Sequence, residues 1–245
     1  MIPASATIGM IVPPAAGQVP PDGAQLYGDR PLRFIARGLA LQSISPEGFD
    51  DVADRIVSEA LALREAGAQA VSLMGTSLSF YRGAAFTESL RERMQQATGV
   101  PCTTMSHAIV ASMRALGLRR VAVATAYIET LNARLVAYLA SQDIEVTAIR
   151  GLDMTGVEAV GEVPEAALTA LAEQVLADGG GAQGLLFSCG GLHTLGLHAP
   201  LEARLGIPVT SSSPAGFWDV MRAAGLDASA PGFGKLFAHS SSRAV

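Results

Sequence analysis

The sequence predicts an α/β fold of two similar halves, each a parallel sheet wrapped by helices, with the working site in the cleft between them. Three observations predict it. Short apolar runs that end in small or hydroxyl residues alternate with helix-length segments closed by glycine, which is the pattern of parallel strands joined through helices. Hydrophobic residues make up 49% of the chain but aromatics only 5%, a composition suited to close-packed strands and helices. The second half also repeats the first. Arg120–Tyr127 aligns with Thr7–Pro14, Leu185–Gly191 with Val71–Ser77, and Leu205-Gly-Ile-Pro with Thr98-Gly-Val-Pro, in one order and at nearly one spacing.

Taken in order, residues 7–14 read as a central strand stopped by two prolines. The stretch from there to about residue 45 is rich in Gly, Pro and Asp, has no sustained period, and reads as a long lid or binding loop. Ser45-Pro46-Glu47 supplies cap, proline and acid for a helix that Gly67 closes. Ala70–Ser77 is a second buried strand. A helix over about 86–97 leads through Gly99 to a strand at 100–104, and another over about 106–116 stops at Gly117. In the second half, Gly184-Leu-Leu-Phe-Ser188 ends abruptly in Cys189-Gly190-Gly191, as a buried parallel strand does when it leaves its sheet. Pro164, Pro200 and Pro214 mark helix starts, and Gly179, Gly206 and Gly225 mark helix ends. Residues 1–115 are expected to form the first α/β domain and 116–213 the second, with 214–245 packing back on the first. The tail from Ser229 is expected to cross the junction and then fray.

Composition excludes several function classes. The net charge is −5 with no long run of either sign, so there is no basic footprint for nucleic acid. No uncharged apolar run approaches a membrane span, and the first ten residues lack a basic leader. Two cysteines, Cys102 and Cys189, make neither a disulfide framework nor a metal-ligand cluster, which suits a reducing cytoplasm. The expected partner is a small molecule bound by a monomer, with no nucleic acid and no membrane.

Open α/β sheets place ligands beyond the carboxyl ends of their strands. Aligning the halves sets Gly75 opposite Cys189, so a thiol stands on one wall only. Thr76, Ser77, Gly190 and Gly191 bring hydroxyls and unobstructed backbone around these tips, and Tyr127 ends another matched strand. A ring of neutral donors suits a carboxylate, and suits better the enediolate it becomes as charge develops.

The segments 9–17, 72–86, 124–128, 188–192 and 211–219 resemble the bacterial arylmalonate decarboxylases, and the likeness runs from about residue 7 to about residue 237. This is the aspartate/glutamate racemase superfamily, whose two-domain racemases carry a facing pair of cysteines; Gly75 stands here where the first would be, as it does in the decarboxylases. The resemblance implies a cofactor-free loss of CO₂ from a 2-aryl-2-alkylmalonate, with no metal. It implies Cys189 as the proton donor, and Thr76, Ser77, Tyr127 and the N–H groups of Cys189 and Gly190 as the dioxyanion hole. It further implies an apolar pocket of Leu41, Ile44, Leu78, Val157 and Val160 around the carboxylate that leaves, with Pro13, Pro14 and Gly75 completing the substrate-binding set. A racemase or isomerase of the same superfamily, or a small-acid binding protein without turnover, are the alternatives.

Plainer readings stand beside these. Thr76 and Ser77 could cap a helix, Tyr127 could be core, and Cys102 reads as a buried filler. His107, His193, His198 and His239 show no metal spacing, and His193 reads as an exposed helix-start residue. Arg82 could meet substrate or form an ion pair, Gly179-Gly180-Gly181 is a loop, and Phe217 and Trp218 pack at the core or junction.

Overall fold

The computed structural model describes residues 6–238 and contains two four-stranded sheets in which all pairings are parallel. The first holds β1 (Ala6–Val12), β2 (Leu32–Gly38), β3 (Ala70–Leu73) and β4 (Cys102–Thr104) in the order β2-β1-β3-β4. The second holds β5 (Arg120–Thr125), β6 (Glu145–Gly151), β7 (Gly184–Ser188) and β8 (Val209–Ser211) in the order β6-β5-β7-β8. The two orders are the same, so the repeated strand ends in the sequence correspond to β1, β3 and β4 matched with β5, β7 and β8. Strands β3 and β7 are buried at every residue, which is why they read as unbroken apolar runs.

The stretch expected to be a long loop contains α1 (Asp22–Tyr27) and the edge strand β2. Strand β2, Leu-Arg-Phe-Ile-Ala-Arg-Gly, escapes the pattern because Arg33 and Arg37 lie exposed on an edge that is only half-buried elsewhere. The helix expected from Pro46 to Gly67 is two helices, α2 (Pro46–Ala53) and α3 (Ile56–Glu65). Ser45 caps α2, its Oγ accepting from the Gly48 N–H at 3.2 Å. At the break, the Arg55 guanidinium donates to the Leu39 carbonyl, which fixes the segment leading to Leu41 and Ile44.

The strand expected at 70–77 stops at Leu73, and Thr76 instead opens the short helix α4 (Thr76–Phe80). Then come α5 (Ala84–Thr98), α6 (Met105–Ala115), α7 (Glu129–Ala140), α8 (Glu165–Asp178), α9 (His198–Leu205) and α10 (Ser212–Ala223). Pro164 precedes α8, while Pro200 and Pro214 sit in the first turns of α9 and α10, where a missing N–H breaks no intrahelical bond.

Helix α10 packs on α6, α1, β4 and β3 of the first half as well as on β8 behind it. Its Trp218 and Phe217 are buried, and Phe217 meets Phe34 edge-on at 5.0 Å. The tail after α10 touches both halves. Tyr27 Oη donates to the Ala228 carbonyl at 2.9 Å, and the Lys235 N–H donates to Glu202 Oε2 at 2.8 Å. Residues 239–245, where fraying is expected and His239 lies, are outside the described residues. No helix among the described residues is long and apolar enough to cross a membrane.

Arg82 takes the ion-pair role, with Nη2 2.6 Å from Asp50 Oδ1 and the guanidinium over the Tyr81 and Phe86 rings. Cys102 is a buried filler whose thiol lies 3.4 Å from Thr98 Oγ1.

Close backbone approach fixes how β2 meets the Pro13-Pro14 turn. A Cβ at Gly38 would lie 2.3 Å from the Pro14 carbonyl oxygen and 2.6 Å from that of Ala15. Gly38→Ala must therefore displace backbone, at about 1–3 kcal/mol. Thermal unfolding should show a midpoint lowered by roughly 2–12 °C; an unchanged midpoint would show that the turn yields freely.

Candidate active site

The carboxyl ends of β1, β3 and β7 open onto a cavity of about 440 Å³, a size that fits a small organic acid. Of the residues singled out in the sequence, Pro13 and Pro14 line it after β1, and Gly75, Thr76, Ser77 and Leu78 after β3. Cys189 and Gly190 line it after β7, and Leu41, Ile44, Val157 and Val160 complete the set from the flanking loops. The tips of β3 and β7 meet directly: a Cβ at Gly190 would be 3.2 Å from the Met74 carbonyl and 2.8 Å from Met105 Cε. A side chain there would have to displace the end of Met105.

Cys189 is 8% exposed, and that exposure is onto the cavity. Burial pushes its thiol up to about 11, while the Gly191 N–H and the Tyr127 hydroxyl pull the other way. The sulfur therefore carries its proton at neutral pH. Gly75, at the matched tip, places no acid there. A Cβ there would lie 3.2 Å from Leu78 Cβ and 3.5 Å from Pro13 Cγ, which is tight but passable.

Tyr127 lies just past the end of β5. It is fully buried behind the wall, because β5 stops at Thr125 and the chain turns inward. Its hydroxyl accepts from Ser188 Oγ at 3.4 Å and interacts with the side chains of Thr76 and Ser77 and with Cys189. Burial raises its pKa, so the phenol stays protonated. Phe80 of α4 meets the Tyr127 ring at 5.9 Å and 70°, and Arg134 of α7 donates to the Tyr81 carbonyl at the end of α4 at 2.7 Å. Beneath α4, Ser106 Oγ donates to the Thr76 carbonyl at 3.1 Å and lies 2.6 Å from Ser79 Oγ. The helix that carries Thr76 and Ser77 is thus held from both halves.

The apolar side of the cavity is built from Leu41, Ile44, Leu78 and Val160, all buried, with Val157 packed against them. The Ile44 N–H donates to the Thr155 carbonyl at 2.9 Å, joining the loop before α2 to the loop that carries Val157.

Sequence reasoning missed Asp22, Gln18, Phe49 and Glu158, which also line the cavity. His193 lines it too, from an exposed turn between Gly191 and Thr194 rather than from a helix start. Asp22 follows Pro20-Pro21 in a segment without period, so nothing in the sequence signalled that the short helix it opens would turn inward.

The family model for arylmalonate decarboxylase matches residues 8–237. Arylmalonate decarboxylase of Bordetella bronchiseptica is 56% identical over 235 residues, covering 96% of this chain and 97% of that protein. Maleate isomerase of Nocardia farcinica is 26% identical and covers 96% of each chain. A liganded crystal structure of an arylmalonate decarboxylase double mutant, glycine to cysteine and cysteine to serine, superposes with a TM-score of 0.93 at 55% identity, covering 95% of this chain and 99% of that one. The match over almost the whole chain and the lone cysteine at one of two matched strand tips lead to one conclusion: this protein is a member of the arylmalonate decarboxylase family.

Proposed function

We infer that this protein removes CO₂ from 2-aryl-2-alkylmalonates without a cofactor and returns a single enantiomer of the 2-arylalkanoic acid. The observation that carries this reading is a protonated, nearly buried thiol, Cys189, sharing a cavity with the bare Gly75 tip and a cluster of uncharged hydroxyls.

In this reading one carboxylate lies among Leu41, Ile44, Leu78, Val157 and Val160. An anion there is poorly solvated whereas neutral CO₂ is not penalised, which favours the leaving step. The electrons of the breaking C–C bond pass into the remaining carboxylate and make it an enediolate. Its two oxygens are held by the hydroxyls of Thr76, Ser77 and Tyr127 and the N–H groups of Cys189 and Gly190. One such donor is typically worth about 3–4 kcal/mol of transition-state stabilisation. Cys189 then delivers its proton to the planar carbon from one face, and water reprotonates the thiolate. Pro13, Pro14 and Gly75 shape the space left for the aryl group and the alkyl substituent.

A racemase or isomerase would need a second acid or base opposite Cys189, and Gly75 supplies none. Two unpaired cysteines suit a cytoplasmic setting.

Phenylmalonate should release CO₂ with the wild-type protein, and Cys189→Ala should lower kcat by roughly 10²–10⁴ with the fold retained by circular dichroism. Full activity in that variant would remove Cys189 from the chemistry. Because the acid form is the working form and its pKa is raised to about 11, activity should hold through neutral and mildly alkaline pH. It should fall as pH climbs through the thiol's pKa. A pH–rate profile that loses activity on the alkaline side near pH 7 would contradict a proton-carrying sulfur. Gly75→Cys should add a proton source on the opposite wall and erode enantiomeric excess, read by chiral chromatography; an undiminished single enantiomer at full rate would show that only one face of the intermediate can be reached.

A further inference from the structure

Among the described residues lining the cavity, Asp22 is the one buried ionisable side chain other than Cys189; Gln18, Glu158 and His193 are exposed at its rim. The chemistry above does not use it. A carboxyl group sequestered in this way is costly unless its oxygens find donors. Burial indeed raises its pKa, with the Ser213 hydroxyl and the His193 side chain acting in the opposite direction.

The position of this group is fixed. Ser213, buried in the first turn of α10, donates from Oγ to Asp22 Oδ2 at 2.7 Å. The next residue, Gly23, is packed so closely that a Cβ would lie 2.6 Å from Phe217 Cε1. The start of α1 is therefore packed directly against α10. A carboxyl group has about four lone-pair directions; the Ser213 hydroxyl and the backbone N–H of Asp22 itself take up two of them. The side of the group that faces the cavity is left to whatever the cavity holds.

We propose that Asp22 is a specificity-determining residue that accepts a hydrogen bond from a hydroxyl or amino group on the aryl ring, so that hydroxy- and aminoarylmalonates are the preferred substrates. The proposal rests on the decarboxylase reading and adds to it the chemistry of the ring.

The test compares kcat/KM for phenylmalonate, 3-hydroxyphenylmalonate and 4-hydroxyphenylmalonate in the wild type and in Asp22→Asn. The wild type should prefer one hydroxyphenyl substrate by roughly tenfold, the scale of one hydrogen bond to a charged or strongly polar acceptor. The preference should lie in KM, because the ring contact is the same before and during the reaction. Asp22→Asn keeps an oxygen for Ser213, can turn a donor instead of an acceptor toward the ring, and should bring the ratio close to one. A ratio that is the same in both proteins overturns the assignment. Should the variant fail to fold, inhibition of the wild type by phenylacetate and the two hydroxyphenylacetates decides alone: tighter binding of one hydroxy compound by roughly tenfold supports the proposal, and equal constants overturn it. CO₂ release from all substrates at equal kcat/KM overturns only the role of Asp22, whereas no release from any of them overturns the decarboxylase reading as well.

Discussion

The architecture turns on keeping a sulfur dry and protonated where the ends of two parallel sheets meet. A cysteine becomes a nucleophile when cations or a helix start draw its proton away. Here the surroundings act in the other direction. Among the described residues lining the cavity there is no lysine or arginine, and the groups nearest the sulfur are the Tyr127 hydroxyl and backbone N–H groups. These neutral donors stabilise a thiolate only in part, so burial dominates and the acid form persists. The same low-dielectric surroundings strengthen each hydroxyl's grip on a developing oxyanion. One choice, uncharged polarity in a buried junction, thus serves both the acid and the anion hole of the proposed reaction.

Near-symmetry supplies the frame, and its local failure supplies the chemistry. Strands β3 and β7 take the same place in sheets of the same order, yet one ends in Gly75 and the other in Cys189. Duplicated frames also need a stiff joint, since a proton delivered to one face of a carbon demands that the two tips stay in register. The joint is dense. Helix α10 packs along α6, Thr210 Oγ1 donates to Ser112 Oγ at 2.9 Å, and Phe80 lies between Tyr127 and Tyr138. Arg134 completes it by holding the end of α4 from the opposite half.

What could be read from the sequence follows from burial. Central strands such as Gly184–Ser188 are covered on both faces and show as apolar runs, so their tips, and with them Gly75 and Cys189, were legible. Strand β2 was not, because an edge that alternates arginine with half-buried residues imitates a loop. The single helix expected over 46–67 looked continuous because nothing local announces that Arg55 will be needed at the Leu39 carbonyl. Asp22 and His193 reach the cavity only through the packing of α1 and the turn after Cys189, and that packing is long-range.

The hydroxyl of Thr76 shows how such a site can be ready without being locked. Its Oγ1 donates to Met105 Sδ at 3.0 Å, and the same methionine fills the space against which Gly190 and Gly216 close. A thioether is a weak acceptor. The bond satisfies a buried hydroxyl in the empty site at little cost, yet it is easily given up for an anionic oxygen, to which hydrogen bonds are roughly twice as strong. A carbonyl in place of the sulfur would hold the hydroxyl more firmly and take back part of what the oxyanion gains. A purely apolar side chain would leave the hydroxyl unpaired in the empty protein, with a desolvation penalty of about 1–3 kcal/mol. Sulfur lies between these limits, so in the proposed reaction most of the donor's strength is kept for the intermediate rather than spent in the ground state.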